Sequence, residues 1–138
     1  AEVLRWASES LQNNKEVVMT AVSKGGWWNL QWASKSLKND KEIVIAAISN
    51  HVRGCGDGGC ALQYASDSLK NDKEVVTLAV CTSGLGNNLQ FASDSLQNDK
   101  DVVMAAINCS YCGGYGWALQ HASDSLKNDK EVVMAAIS

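Results

Sequence analysis

The chain has no proline in 138 residues, so no position loses its backbone donor and nothing in the composition interrupts a helix. Histidine is nearly missing too. The two copies, His51 and His121, lie in unrelated contexts, and neither stands beside a serine or cysteine as a base would stand beside a nucleophile. The expectation is therefore a non-enzymatic protein. Basic residues are not in excess: the formal net charge is −3, with no basic stripe to follow a nucleic-acid backbone. No apolar run approaches the ~20 residues that span a bilayer, so no transmembrane segment is expected. No signal or transit segment is visible either, and the opening AEVL fits a processed N-terminus as well as an arbitrary boundary. What is present is apolar surface, 46% of the residues, enough for the core of one domain.

That surface is organised as a repeat. LRWASESLQNNKEVVMTAV (4–22), LQWASKSLKNDKEIVIAAI (30–48), LQYASDSLKNDKEVVTLAV (62–80), LQFASDSLQNDKDVVMAAI (89–107) and LQHASDSLKNDKEVVMAAI (119–137) align without a gap. The connectors 23–29, 49–61, 81–88 and 108–118 differ in length. Rigid units on elastic connectors predict an α-solenoid of five helical hairpins, all-α, forming one domain over 1–138.

Within the third unit, Leu62, Ala65, Ser66 and Leu69 fall at the spacing of one face of an amphipathic helix. Asn71-Asp72 should break it, the asparagine by taking a left-handed conformation and the aspartate by capping the next helix. Glu74 suits the first turn of that second helix, and Val75, Val76, Ala79 and Val80 give it a broad apolar face. Each helix is too short to stand alone, so stability must come from stacking.

The string L-Q-x-A-S-x-x-L-K-N-D-K-E-V-V-x-x-A-V resembles a catalogued repeat family of unknown function, abundant in protists including dinoflagellate algae. The resemblance covers all five units and implies a helical array, with no catalytic residues to carry over. It suggests as setting an organelle of a microbial eukaryote, a plastid among them. In simple connectors the family tends to end Gly-Trp-Ala-Leu. Here Gly116-Trp117-Ala118-Leu119 keeps that ending and Gly26-Trp27-Trp28-Asn29-Leu30 varies it.

Three features vary against the constant background. Trp6, Trp32, Tyr64, Phe91 and His121 form a column beside Ser10, Ser36, Ser68, Ser95 and Ser125. It reads either as filler between units or as a ladder receiving a ligand, a pigment or a partner. Among the connector aromatics, Trp28 and Trp117 are expected to cover their own hairpins, and Trp27, Tyr111 and Tyr115 to meet a protein partner. Finally, Cys55, Cys60, Cys81, Cys109 and Cys112 all fall in connectors, which a solenoid aligns along one edge. Disulfides between loops, free thiols, and a metal- or redox-responsive site drawing on His51 are the alternatives. GCGDGG (54–59) lacks the lysine of a phosphate loop, and no cofactor is expected.

Neither end of the array carries a visible polar cap, so the apolar ends should pack against another copy, the rest of a longer array or a larger complex. The reading is a scaffold or accessory subunit in a larger assembly, possible settings including a photosynthetic complex.

Overall fold

The computed structural model describes residues 3–50, 61–82, 87–109 and 115–138; the side chains of 87, 115 and 116 fall outside that description. His51, Cys55, Cys60, Tyr111 and Cys112 lie outside the described residues, and Tyr115 is placed only as the first residue of a helix. The described residues are all-helical, and the repeat recurs five times.

Each unit has three pieces, not the two expected. In the second unit these are a 3-10 stretch (Trp27–Trp32), a single α-turn (Lys35–Lys38) and a longer helix (Lys41–Ser49). The other units follow the same order and end in the long helices Lys15–Lys24, Lys73–Thr82, Lys100–Asn108 and Lys130–Ile137. In the last unit the leading piece is an α-helix, Tyr115–His121. Successive long helices pack against each other to make one layer, and the leading pieces pack against each other to make the second. The core lies between these layers.

The expected continuous first helix is broken at Ala-Ser. Ser66 is extended (φ −65°, ψ 159°), and its hydroxyl accepts from the amide of Leu69. The periodicity still placed Leu62, Ala65 and Leu69 correctly in the core. What it could not show is that the Ser66 N–H leaves the helix ladder to donate to Lys38 O of the preceding unit, at 3.0 Å. A helix-capping serine must have non-helical dihedrals, so the bond between units and the break within the unit are one event.

Asn71 also differs from expectation. It stays at φ −104°, ψ 7°, and no non-glycine among the described residues has positive φ. Its role is to aim its side chain at the next unit. Asp72 caps as expected, its Oδ1 accepting from the amides of Glu74 and Val75 at 3.0 and 3.2 Å. Gly26 is the one described residue that must be glycine. At φ 108° its missing side chain leaves room for the Trp28 ring, into which a Cβ would run.

Candidate interaction surfaces

The invariant polar residues of the repeat build the joints between units. Asn13, Asn39, Asn71 and Asn98 each accept at Oδ1 from the capping serine of the following unit: Ser34, Ser66, Ser93 and Ser123, all at 2.6 Å. In three joints a second serine donates to the same oxygen: Ser36 at 3.0 Å, Ser95 at 2.8 Å and Ser125 at 2.9 Å. The capping serines' amides donate to Gln12, Lys38, Lys70 and Gln97 of the unit before. Lys15 bridges Asp40 and Glu42; Lys41 bridges Asp72 and Glu74; Lys73 bridges Asp99 and Asp101; Lys100 bridges Asp129 and Glu131, at 2.7–3.1 Å.

These contacts perturb the charged groups in one direction per type. The bonds it donates to Glu42 and Asp40 raise Lys15 above its ordinary value, and Lys41, Lys73 and Lys100 are raised in the same way. Partial burial alone would raise Asp40. The bond from Lys15 and those from the Ile43 and Glu42 amides outweigh it, so the carboxyl sits below its ordinary value. Asp72 and Asp99 repeat that balance, and in Asp129 the bond from Lys100 leads. The recurrent Ser-x-Ser and Asn-Asp-Lys-Glu strings are thus the adhesive of the stack.

The variable residues gather at the aromatic edge. The guanidinium of Arg5 lies 5.0 Å from the Trp6 ring centre and 5.3 Å from that of Trp32, between indoles of adjacent units. Trp27 stacks on Tyr64 of the third unit (6.2 Å, 21° between planes) and meets Trp28 edge-on at 5.9 Å. Trp27 is therefore half-buried and already engaged on one face, whereas Trp28, folded over Gly26, is the more exposed of the two. Trp6 is 80% exposed and Trp117 53% exposed, against the expectation that Trp117 would cover its hairpin. Phe91 and His121 are half-buried, and burial, with Lys127 nearby, lowers the imidazole's pKa.

The cysteine edge resolves in part. Cys81 and Cys109 form a disulfide, with their α-carbons 4.9 Å apart. Cys81 is not in a connector as expected. It lies in the last turn of the helix Lys73–Thr82, and Cys109 caps the next long helix. Asn50 occupies the position of Cys109 in the second unit, and its Nδ2 donates to Val22 O and Ser23 O of the first. The same place in the repeat ties helix ends by hydrogen bond in one joint and by sulfur in another. Among the described residues no group of three or more His, Cys, Asp or Glu side chains is placed to hold a metal ion.

Sequence reasoning missed three things here. Asn29 and Asn88 replace the alanine before the leading leucine, are buried, and donate to Ala21 O and Ala79 O on the preceding long helix. Arg5 stands where the other units have glutamine. All three stand out in the sequence only as departures from the repeat.

A family model described as a domain of unknown function, DUF4116, matches residues 27–53, 55–86, 83–115 and 110–138. The chain belongs to the DUF4116 family. Four of its units fall in the matched segments, and the unit at 4–22 precedes them. No curated protein and no solved structure matches the chain. No helix among the described residues is long and apolar enough to cross a membrane.

Proposed function

We propose that this DUF4116 chain is a non-enzymatic helical-repeat scaffold or accessory subunit whose aromatic edge holds a protein partner within a larger assembly. The observation that carries this reading is Trp6, 80% exposed and joined through Arg5 to Trp32 of the next unit. Indole and guanidinium are the groups that most often anchor protein interfaces, the indole because it buries much area with few rotors and the guanidinium because its planar fork stacks and donates at once. The repeated polar residues are occupied in the joints, which leaves the variable edge as the place where recognition differs from unit to unit. A plastid or other organellar assembly is the proposed setting, on the family resemblance alone.

The test is affinity capture with cross-linking from the native source, using the wild-type chain and the Trp6→Ser and Trp28→Ser variants in parallel. Matched helical circular dichroism establishes that the variants fold. A partner held by the wild type and lost with either variant supports the reading. Undiminished recovery with both variants overturns the assignment to this edge.

A further inference from the structure

The long helices carry a second patterned surface, on the side turned away from the core. In the helix Lys73–Thr82 the buried face is Val75, Val76, Ala79 and Val80, which leaves Glu74, Thr77, Leu78 and Cys81 on the opposite stripe. Met19, Ile45, Thr77 and Met104 hold one place in the first four units, and each is half-buried. They form a row that crosses the helices instead of following one of them. The row changes at the third unit. Thr77 is shorter than its counterparts, and Leu78 stands where the second and fourth units have Ala46 and Ala105. A groove of about 660 Å³ opens there between Ile45 of one long helix and Leu78 and Cys81 of the next, with Lys73, Glu74 and Thr77 also lining it.

A row of acids runs beside the apolar row. Glu42, Glu74 and Asp101 precede Ile45, Thr77 and Met104 by three residues, so each pair shares a helix face. These acids are 70–85% exposed although each is paired with the lysine of the preceding unit. That lysine is shared with a capping aspartate: Lys15 with Asp40, Lys41 with Asp72, Lys73 with Asp99. One positive charge thus meets two negative ones, and each joint keeps one negative charge in excess. Lys24 is the one cation of the first four long helices outside the joints, and it lies at the far end of its helix from Glu16.

We propose that this surface docks a basic amphipathic helix of a partner protein, laid across the long helices with one apolar anchor per unit. Charge complementarity selects the sign. Lysine or arginine beside the partner's apolar stripe meets the acid row, whereas an anionic lipid surface or a nucleic acid is repelled. A second copy of this chain is disfavoured for the same reason, because its own long helices carry the acids. Spacing selects the conformation. Packed helices lie ~8–10 Å apart, and residues seven apart on one helix share a face at about 10.5 Å. An extended peptide repeats on one face about every 6.7 Å and falls out of step. The long helices keep their backbone donors in their own ladders, so they offer an added strand no edge. Methionine at two places of the row suits a surface that adapts to its anchor. None of these residues belongs to the aromatic edge.

Fluorescence anisotropy of a labelled synthetic peptide titrated with the 138-residue chain is the experiment. The peptide is a helix of about 20 residues, with leucine at every seventh position, lysine on the flanks and alanine elsewhere. It should bind saturably, and more weakly as salt rises. A peptide with glutamate for lysine should not bind, and the lysine peptide in scrambled order should bind at least about tenfold more weakly. Leu78→Ala should weaken binding roughly three- to tenfold, and it should fold, because alanine holds this place in three other units. The triple variant Glu42→Gln, Glu74→Gln, Asp101→Asn leaves each of these joints neutral and should weaken binding at least about threefold. Matched circular dichroism establishes that both variants fold. No saturable binding, equal binding of the glutamate or scrambled peptide, or binding indifferent to both variants overturns the proposal. Self-association of the chain that Leu78→Ala dissolves, read by sedimentation velocity, would make a second copy the occupant and overturns it too.

Discussion

Replacing Ser93 by alanine should cost about 2 kcal/mol, roughly half of it arising in the neighbouring unit. The hydroxyl does two things at once. It accepts from the Leu96 amide as a helix cap, a role whose loss typically costs about 1 kcal/mol. It also donates across the joint to Asn71 Oδ1 at 2.6 Å, and a net hydrogen bond is worth about 1 kcal/mol. Both groups are partly open to water, which can replace some of what is lost, so the total belongs near these central values and not above them. Ser8 is the internal control. It caps in the same way, accepting from Leu11 N, but no unit stands before it among the described residues. Ser8→Ala should therefore cost about 1 kcal/mol. The assay is urea unfolding followed by circular dichroism, at dilution, with coincidence of a second probe checked because stacked repeats can lose two-state behaviour. Asn71→Ala completes a double-mutant cycle whose coupling to Ser93→Ala should be about 1 kcal/mol. Equal costs for Ser8→Ala and Ser93→Ala, with no coupling to Asn71, would refute the claim that the invariant serine binds one unit to the next.

The same contrast applies to the core: Leu96→Ala should cost about 2–4 kcal/mol by cavity formation, and Leu11→Ala, at the equivalent but open position, well under half of that in dilute chemical denaturation. Reducing the Cys81–Cys109 disulfide, which spans 28 residues, should lower stability by roughly 3–4 kcal/mol on the chain-entropy account, read as a drop in thermal midpoint that Cys109→Ser reproduces in oxidising buffer. Non-reducing peptide mapping should find the 81–109 link directly. Stability should also have two edges in pH. The joint aspartates are depressed below 3.8, so their contribution is complete above that value and is lost as pH falls through the folded values. The bridging lysines are raised above 10.5, so theirs is complete below 10.5 and is lost as pH rises through the folded values. Thermal melts across pH should show a plateau between, and substituting Lys73→Met should flatten both edges.

The sequence by itself determined the class, the five-unit frame and the core. Composition without proline favoured helix, the alignment fixed the register, and apolar spacing selected Leu62, Ala65, Leu69, Val75, Val76, Ala79 and Val80 for burial, all of which are buried. These are legible because they depend on local backbone preference and on the angle between residues along one helix. The aspartate cap of the second helix was legible for the same reason, whereas the left-handed asparagine expected before it was not found. Only the tertiary structure decided what the repeated polar residues are for. A serine at a helical spacing looks like part of a helix, until a preceding unit offers a carbonyl to its amide and an asparagine to its hydroxyl. The helix then breaks there, because one N–H cannot serve two acceptors fully. The pairing of Cys81 with Cys109, the engagement of Trp27 by Tyr64 and the exposure of Leu11 and Ile137 depend likewise on which unit lies alongside. A repeat contains both halves of its own interface, but their meeting is a property of the stack.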